Sequence, residues 1–220
     1  MSKIMSYFFS SIGRKQLMGV AGLALCGFMF THALGNYLIF FGPEAYNSYS
    51  HSLTSMSIFP IIEMGLLVVF LTHLILAIVV SIYNKKAKGG QYAKTPRGKR
   101  GTSLLRSSLF WQGIIVLVFI VGHLVTLRFG EEIHVTYSGL EMDNLFALVG
   151  SFLKEPIIMI FYMLSIGVLG FHLAHGLQAS LKTFGIYHPE TLLNILSWTF
   201  SVFVSFSFFA QVIFMFVQFS

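Results

Sequence analysis

The chain has 220 residues, of which 55% are hydrophobic and only 10% charged, where soluble domains carry roughly 25% charged residues. That balance excludes an ordinary soluble globule. The formal charge of +6 needs no nucleic acid to explain it, because the basic residues sort to one side of a membrane, as their positions show.

Five apolar runs follow one another at 17–41, 58–83, 108–130, 156–181 and 192–218. A helix of about 20 residues, rising 1.5 Å each, crosses the ~30 Å hydrocarbon core of a bilayer. The runs therefore predict an all-α integral membrane bundle of five transmembrane helices, a single domain over 1–220. The first run follows Lys3, Arg14 and Lys15; it is too long for a signal-peptide core and no small-residue cleavage site follows it, so it reads as a retained span. The single cysteine, Cys26, lies within it and excludes an intrachain disulfide or a multi-cysteine iron–sulfur or zinc site.

Charge orients the bundle. The 83–107 connection holds Lys85, Lys86, Lys88, Lys94, Arg97, Lys99, Arg100 and Arg106, and with Lys3, Arg14, Lys15 and Lys182 one side receives 12 of the 14 basic residues. The other side receives Glu44, Glu63, Glu131, Glu132, Glu141, Asp143 and Glu155, seven of the eight acids. The positive-inside rule then places the N-terminus in the cytoplasm and the C-terminus outside. The same basic face can also dock a soluble partner.

Each of the first four spans carries a histidine near its middle: His32, His73, His123 and His172. Counting rise along each span puts His32 and His123 about 5 Å outside the midplane and His73 and His172 about 2–5 Å inside it. Two pairs at two heights suit two haems, since an iron held by two imidazoles takes one from each side of the porphyrin, from facing helices. Gly19, Gly22, Gly27, Gly122, Gly167, Gly170 and Gly176 would leave room for the ring, although glycine also serves close helix packing. A lone intramembrane histidine reads as well as an interhelical hydrogen-bonding or proton-relay residue. His175 competes with His172 for the fourth place; the depth of His172 and its neighbour Gly170 favour it, with His175 a polar neighbour near a haem propionate.

THALGN around His32, EAYNSYSH in the first loop, FPIIEM opening the second span, LTHL around His73, GHLVTLR around His123 and GVLGFHLAHG around His172 stand in one order over nearly the whole chain. In that order and spacing the chain resembles the single-chain, five-helix, dihaem cytochrome b anchor subunits of succinate dehydrogenases and fumarate reductases. The resemblance implies two haem b groups, with His32 paired to His123 and His73 to His172. It implies a flavoprotein and an iron–sulfur partner on the cytoplasmic face of a bacterial inner membrane, with menaquinone as the substrate in the bilayer; a dimer of the whole complex is left open. Glu63, at the outer start of the second span, takes the place of a quinone-site glutamate and would handle the protons of quinone chemistry, with His51 in the preceding loop a weaker candidate. Arg14, Lys15, Gln16 and Lys182 near one surface and Arg128 near the other are candidate propionate partners. Some fumarate reductases of this kind carry a glutamate two residues before the fourth ligand, where this chain has Gly170. Two rival readings remain: a dihaem anchor for a hydrogenase or formate dehydrogenase, and a haem-free proton-coupled transporter.

Overall fold

A computed structural model of the chain describes residues 5–7, 10–87, 108–186 and 189–220. Lys3 and the six basic residues from Lys88 to Arg106 lie outside the described residues, so the basic connection is not part of the account that follows. Helix α1, Ser11–Asn36, starts where the Ser10 hydroxyl accepts the Gly13 amide at 3.0 Å, as a helix N-cap should. It tightens into a 3-10 turn at Tyr37–Phe41. Gly42 then takes a φ of 95°, which a residue without a Cβ reaches at little cost. Pro43 opens the short helix α2, Pro43–Thr54.

Helix α3 spans Phe59–Ala87 and helix α4 Leu109–His123, the latter running on as a π-helix at Leu124–Arg128. A β-hairpin follows, β1 His134–Tyr137 against β2 Leu140–Asp143, with Tyr137 opposite Leu140. Its two-residue turn is Ser138–Gly139, both with positive φ, the backbone a tight hairpin prefers. Helix α5, Leu145–Leu153, then leads to two long helices, α6 Pro156–Thr183 and α7 Glu190–Phe219. Five segments are long and apolar enough to cross a membrane: Ser11–Phe41, Phe59–Lys86, Leu109–Arg128, Pro156–Thr183 and Glu190–Phe219. These bear out the all-α, five-span reading. The first segment begins six residues earlier than expected because the Ser10 cap carries the helix through Gly13–Gln16.

Helix α6 packs on α1, α4 and α7, while α3 packs on α1 and touches α4 only lightly. Around the bundle the order is therefore α1, α3, α4, α6, with α1/α4 and α3/α6 as its diagonals, and α7 lies outside against α6. Between Phe59 and Lys86 no residue of α3 is buried, and Ile61, Leu67, Leu71, Ile75 and Ile78 stand exposed along it, as a lipid-facing helix requires. Helix α7 is joined to the bundle by polar stitches, which tie helices together in a solvent as apolar as their own side chains. The Ser201 hydroxyl donates to the Gly170 carbonyl at 2.5 Å, Gln211 Nε2 donates to the Ala33 carbonyl at 3.2 Å, and the Tyr37 and Ser207 hydroxyls lie 2.9 Å apart. Gly170 belongs to this seam. A Cβ there would come within 2.5 Å of the Ser205 hydroxyl, so its small size serves the α6–α7 contact.

Helix α2, the hairpin and α5 form a cap over the end of the bundle where α1 finishes and α3 begins. Ile39, Tyr46, Val149, Leu153, Tyr162 and Met215 make the core beneath it. Asn47 is fully buried and locks the cap: its Nδ2 donates to Asn144 Oδ1, and its Oδ1 accepts the Phe146 amide, both at 2.9 Å. Asn47→Ala takes the acceptor from the half-buried Phe146 amide, a cost of about 1–3 kcal/mol, while Asn144 Oδ1 keeps the Ala147 amide at 3.1 Å. Thermal unfolding in detergent should show that loss, with earlier proteolytic nicking between residues 130 and 144; unchanged melting and nicking would mean Asn47 does not lock the cap.

Candidate functional site

The two diagonals of the bundle are where its intramembrane histidines meet. His32 of α1 faces His123 of α4, with ring centroids 6.1 Å apart and planes at 89°. His73 of α3 faces His172 of α6 at 6.4 Å and 83°. The vertical spacing can be read along the helices. Gly22, ten residues before His32 on α1, lies beside His73, and Gly113, ten before His123 on α4, lies beside His172; Cβ atoms there would sit 3.5 and 3.6 Å from the rings. On α6, Tyr162 precedes His172 by ten residues and packs on His123 at 6.2 Å. Ten helical residues rise about 15 Å, so a cap-side pair stands about 15 Å from a far-side pair. The sequence reading placed the two levels closer. The spans differ in length, from 20 to 31 residues, so their midpoints are not level.

The arrangement fits a metal centre with two protein ligands. Imidazole nitrogens at about 2 Å on either side of a metal hold the two ring centroids roughly 6 Å apart. Among the described residues no group of three or more His, Cys, Asp or Glu comes together; a metal held by either pair would take two ligands from the chain and bring the rest of its coordination with it, as haem iron does. Gly22 and Gly113 keep the flanks of the far-side pair free of side chains. Edge-to-face ring contact accounts for the distances alone. It does not account for the buried Nδ1 atoms of His73, His123 and His172, which have no hydrogen-bond partner, or for both contacts spanning helices that otherwise stand apart. His175 is turned away: its Nδ1 lies 3.0 Å from the Phe171 carbonyl and its ring packs on Trp198 of α7 at 5.7 Å. Of the two rivals, His172 is the one opposite His73.

The remaining candidates are distributed differently from expectation. Arg128, at the end of the π-helix, grips Glu63 with two bonds, Nε to Oε1 at 2.6 Å and Nη2 to Oε2 at 3.2 Å. Two residues read separately, one for protons and one for a propionate, are thus one bidentate ion pair between α3 and α4. His51 lines a cavity of about 380 Å³ in the cap with His134, Glu141, Met142 and Asp143, and Glu63 is not part of that wall. At the opposite end, Lys182 pairs with Glu190 at 3.0 Å, the Arg14 guanidinium stacks 4.4 Å over the Tyr83 ring, and Gln16 accepts the Tyr7 hydroxyl. Lys15 is exposed.

The sequence reading missed Gly113, Tyr162, Asn36 and Tyr46. Asn36 Nδ2 donates to the His32 carbonyl at 2.8 Å and lies 3.4 Å from His32 Nδ1, while its Oδ1 accepts the Tyr46 hydroxyl at 2.8 Å. Burial, with Tyr49 nearby, pushes the Tyr46 phenol up and keeps it protonated. The four-residue spacing of His32 and Asn36 was a readable signal, since such residues share a helix face.

Fold and site define a class: a five-span membrane bundle that sets two facing histidine pairs, one above the other, across its diagonals. The chain is similar to the succinate dehydrogenase cytochrome b558 subunit of Bacillus subtilis (strain 168), with 26% identity over 174 residues that cover 77% of each chain. No family model and no solved structure matches it. The resemblance to cytochrome b anchor subunits of succinate dehydrogenase, read from the motifs, is borne out by this relative.

Proposed function

We propose that this chain is the membrane-anchoring cytochrome b subunit of a succinate:quinone oxidoreductase in a bacterial cytoplasmic membrane. It relays electrons between menaquinone in the bilayer and the flavoprotein and iron–sulfur partners that interconvert succinate and fumarate. The observation that carries this reading is the pair of diagonal histidine contacts at 6.1 and 6.4 Å. His32 and His123 would hold the cap-side haem b, and His73 and His172 the far-side one. Haem would supply one-electron carriage when bound, and the chain sets its two histidine pairs about 15 Å apart by helix rise, at two depths of the bilayer.

Quinone chemistry also moves protons, and the chain's own groups supply that part. Glu63 stands ten residues before His73, level with the cap-side pair, beside an apolar groove of about 500 Å³ lined by Pro60, Ile61, Met64, Gly65 and Val68. The groove suits a prenylated ring; Glu63 is next in sequence to its lining residue Met64, and the Arg128 fork holds the carboxylate in place. As an ion-paired carboxylate Glu63 is a base at rest; during quinone reduction it takes a proton at Oε1 or Oε2 from the cap surface and hands it to the quinone, and during quinol oxidation the proton runs the other way. The N-terminal, basic end would face the cytoplasm and the partner subunits, and the cap would face outside.

Substitution separates the ligands from their neighbours. His172→Ala should lower the haem content by one while His175→Ala keeps both, measured by pyridine haemochrome on the purified chain; the reverse result would move the ligand to His175. Glu63→Gln should cut succinate-dependent quinone reduction by at least about tenfold, since a positioned acid–base group contributes 10²–10⁴-fold, with both haems still in place. Normal turnover would leave Glu63 as no more than half of an ion pair.

A further inference from the structure

His32 differs from the other three facing histidines. His73, His123 and His172 each bury an Nδ1 that has no hydrogen-bond partner, whereas the Asn36 amide sits 3.4 Å from His32 Nδ1. An asparagine that bonds back to the carbonyl four residues earlier is common local chemistry, and the 2.8 Å contact from Asn36 to the His32 carbonyl is that. The other side of the amide is not local. Its oxygen is held by the hydroxyl of Tyr46, only 6% exposed, which reaches it from the cap helix α2. A phenol–amide–imidazole line therefore runs from the cap into the cap-side pair, whereas the groups that reach the far-side rings are backbone carbonyls, Met18 for His73 and Leu109 for His172.

We infer that Asn36, backed by Tyr46, is a positioning residue that sets the orientation and basicity of the His32 ring and so makes the two histidine pairs electronically unequal. The inference rests on reading His32 as an iron ligand. An imidazole that gives Nε2 to a metal keeps its proton on Nδ1, and that N–H needs an acceptor close by. An amide carries both a donor and an acceptor, and a phenol can do either job. As it stands the amide offers its N–H side to Nδ1; turned over, it would give Oδ1 to an Nδ1–H and Nδ2 to the Tyr46 oxygen, at the expense of its bond to the His32 carbonyl. An apolar residue at 36 can do neither. An acceptor at Nδ1 makes the imidazole a stronger donor to the metal; this favours oxidised iron and would lower the reduction potential of the haem held by His32 relative to the same haem without the Asn36 amide.

The test is a redox titration of the haem-loaded, detergent-purified complex, followed by visible and low-temperature EPR spectra, with the cap-side haem identified as the one lost in His32→Ala. Asn36→Leu should raise the potential of that haem and alter its low-spin EPR signal while the other haem stays put. Asn36→Asp, which restores an acceptor, should shift the potential down, and Tyr46→Phe should move it up by less than Asn36→Leu does. If Asn36→Leu loses haem or fails to fold, Tyr46→Phe, which removes a single oxygen, decides the matter by the same shift. Both haems bound with unchanged potentials and spectra in these variants would overturn the inference and leave the proposed function standing. A parent complex whose chain holds no haem would overturn both.

Discussion

An imidazole in hydrocarbon has two ring nitrogens that water cannot reach, and leaving them without partners is expensive. This chain places one such ring near the middle of each of four helices and turns all four inward. The fold is arranged around that constraint. The helices form a ring in which histidine-bearing neighbours pack side by side, and the histidines meet across the diagonals, where the backbones stay apart. Gly22 and Gly113 lie at the level of the far-side rings and add no bulk there. The cap-side rings lie among Phe28, Phe119, Tyr162 and Phe208. Helices that packed as tightly along their diagonals as along their sides would have no place for a planar cofactor.

The fifth helix and the cap bring no histidine to either pair, and their chemistry explains why they are present. Helix α7 is fixed in register against α6 by Ser201, which donates to the Gly170 carbonyl, and against α1 by Gln211, which donates to the Ala33 carbonyl. The cap closes the far end of α1 and α4 with a small core of its own, locked by Asn47. It also touches the site directly, through Tyr46 and Asn36, at one of the two pairs and not the other. The Glu63–Arg128 pair ties α3 to α4 on the side of the ring where these helices otherwise meet least.

Hydropathy made the five spans legible, since a lipid solvent leaves few alternatives to long helices. The histidine pairs were legible as well, because depth along a helix is a matter of counting, and the rings face one another in those pairs. The 15 Å between levels was not, because it depends on spans of unequal length. The hairpin was hidden in a polar stretch too short for strand periodicity, although Ser138–Gly139 is a turn signal between two alternating tetrapeptides. The Glu63–Arg128 pair joins residues 65 positions apart on different helices, a contact that no local pattern encodes. Gly170 looked like space for a ring, and only the helix packed against it shows that Ser201 and Ser205 fill that space.

The central claim is that the two histidine pairs exist to hold two haems. The most direct measurement is haem per polypeptide on the detergent-purified chain, expressed with adequate haem supply, from the dithionite-reduced minus oxidised spectrum and the pyridine haemochrome. Two b-type haems per chain is the predicted result. A colourless protein would contradict the account, make the facing imidazoles relay or packing groups, and move a haem-free transporter to first place.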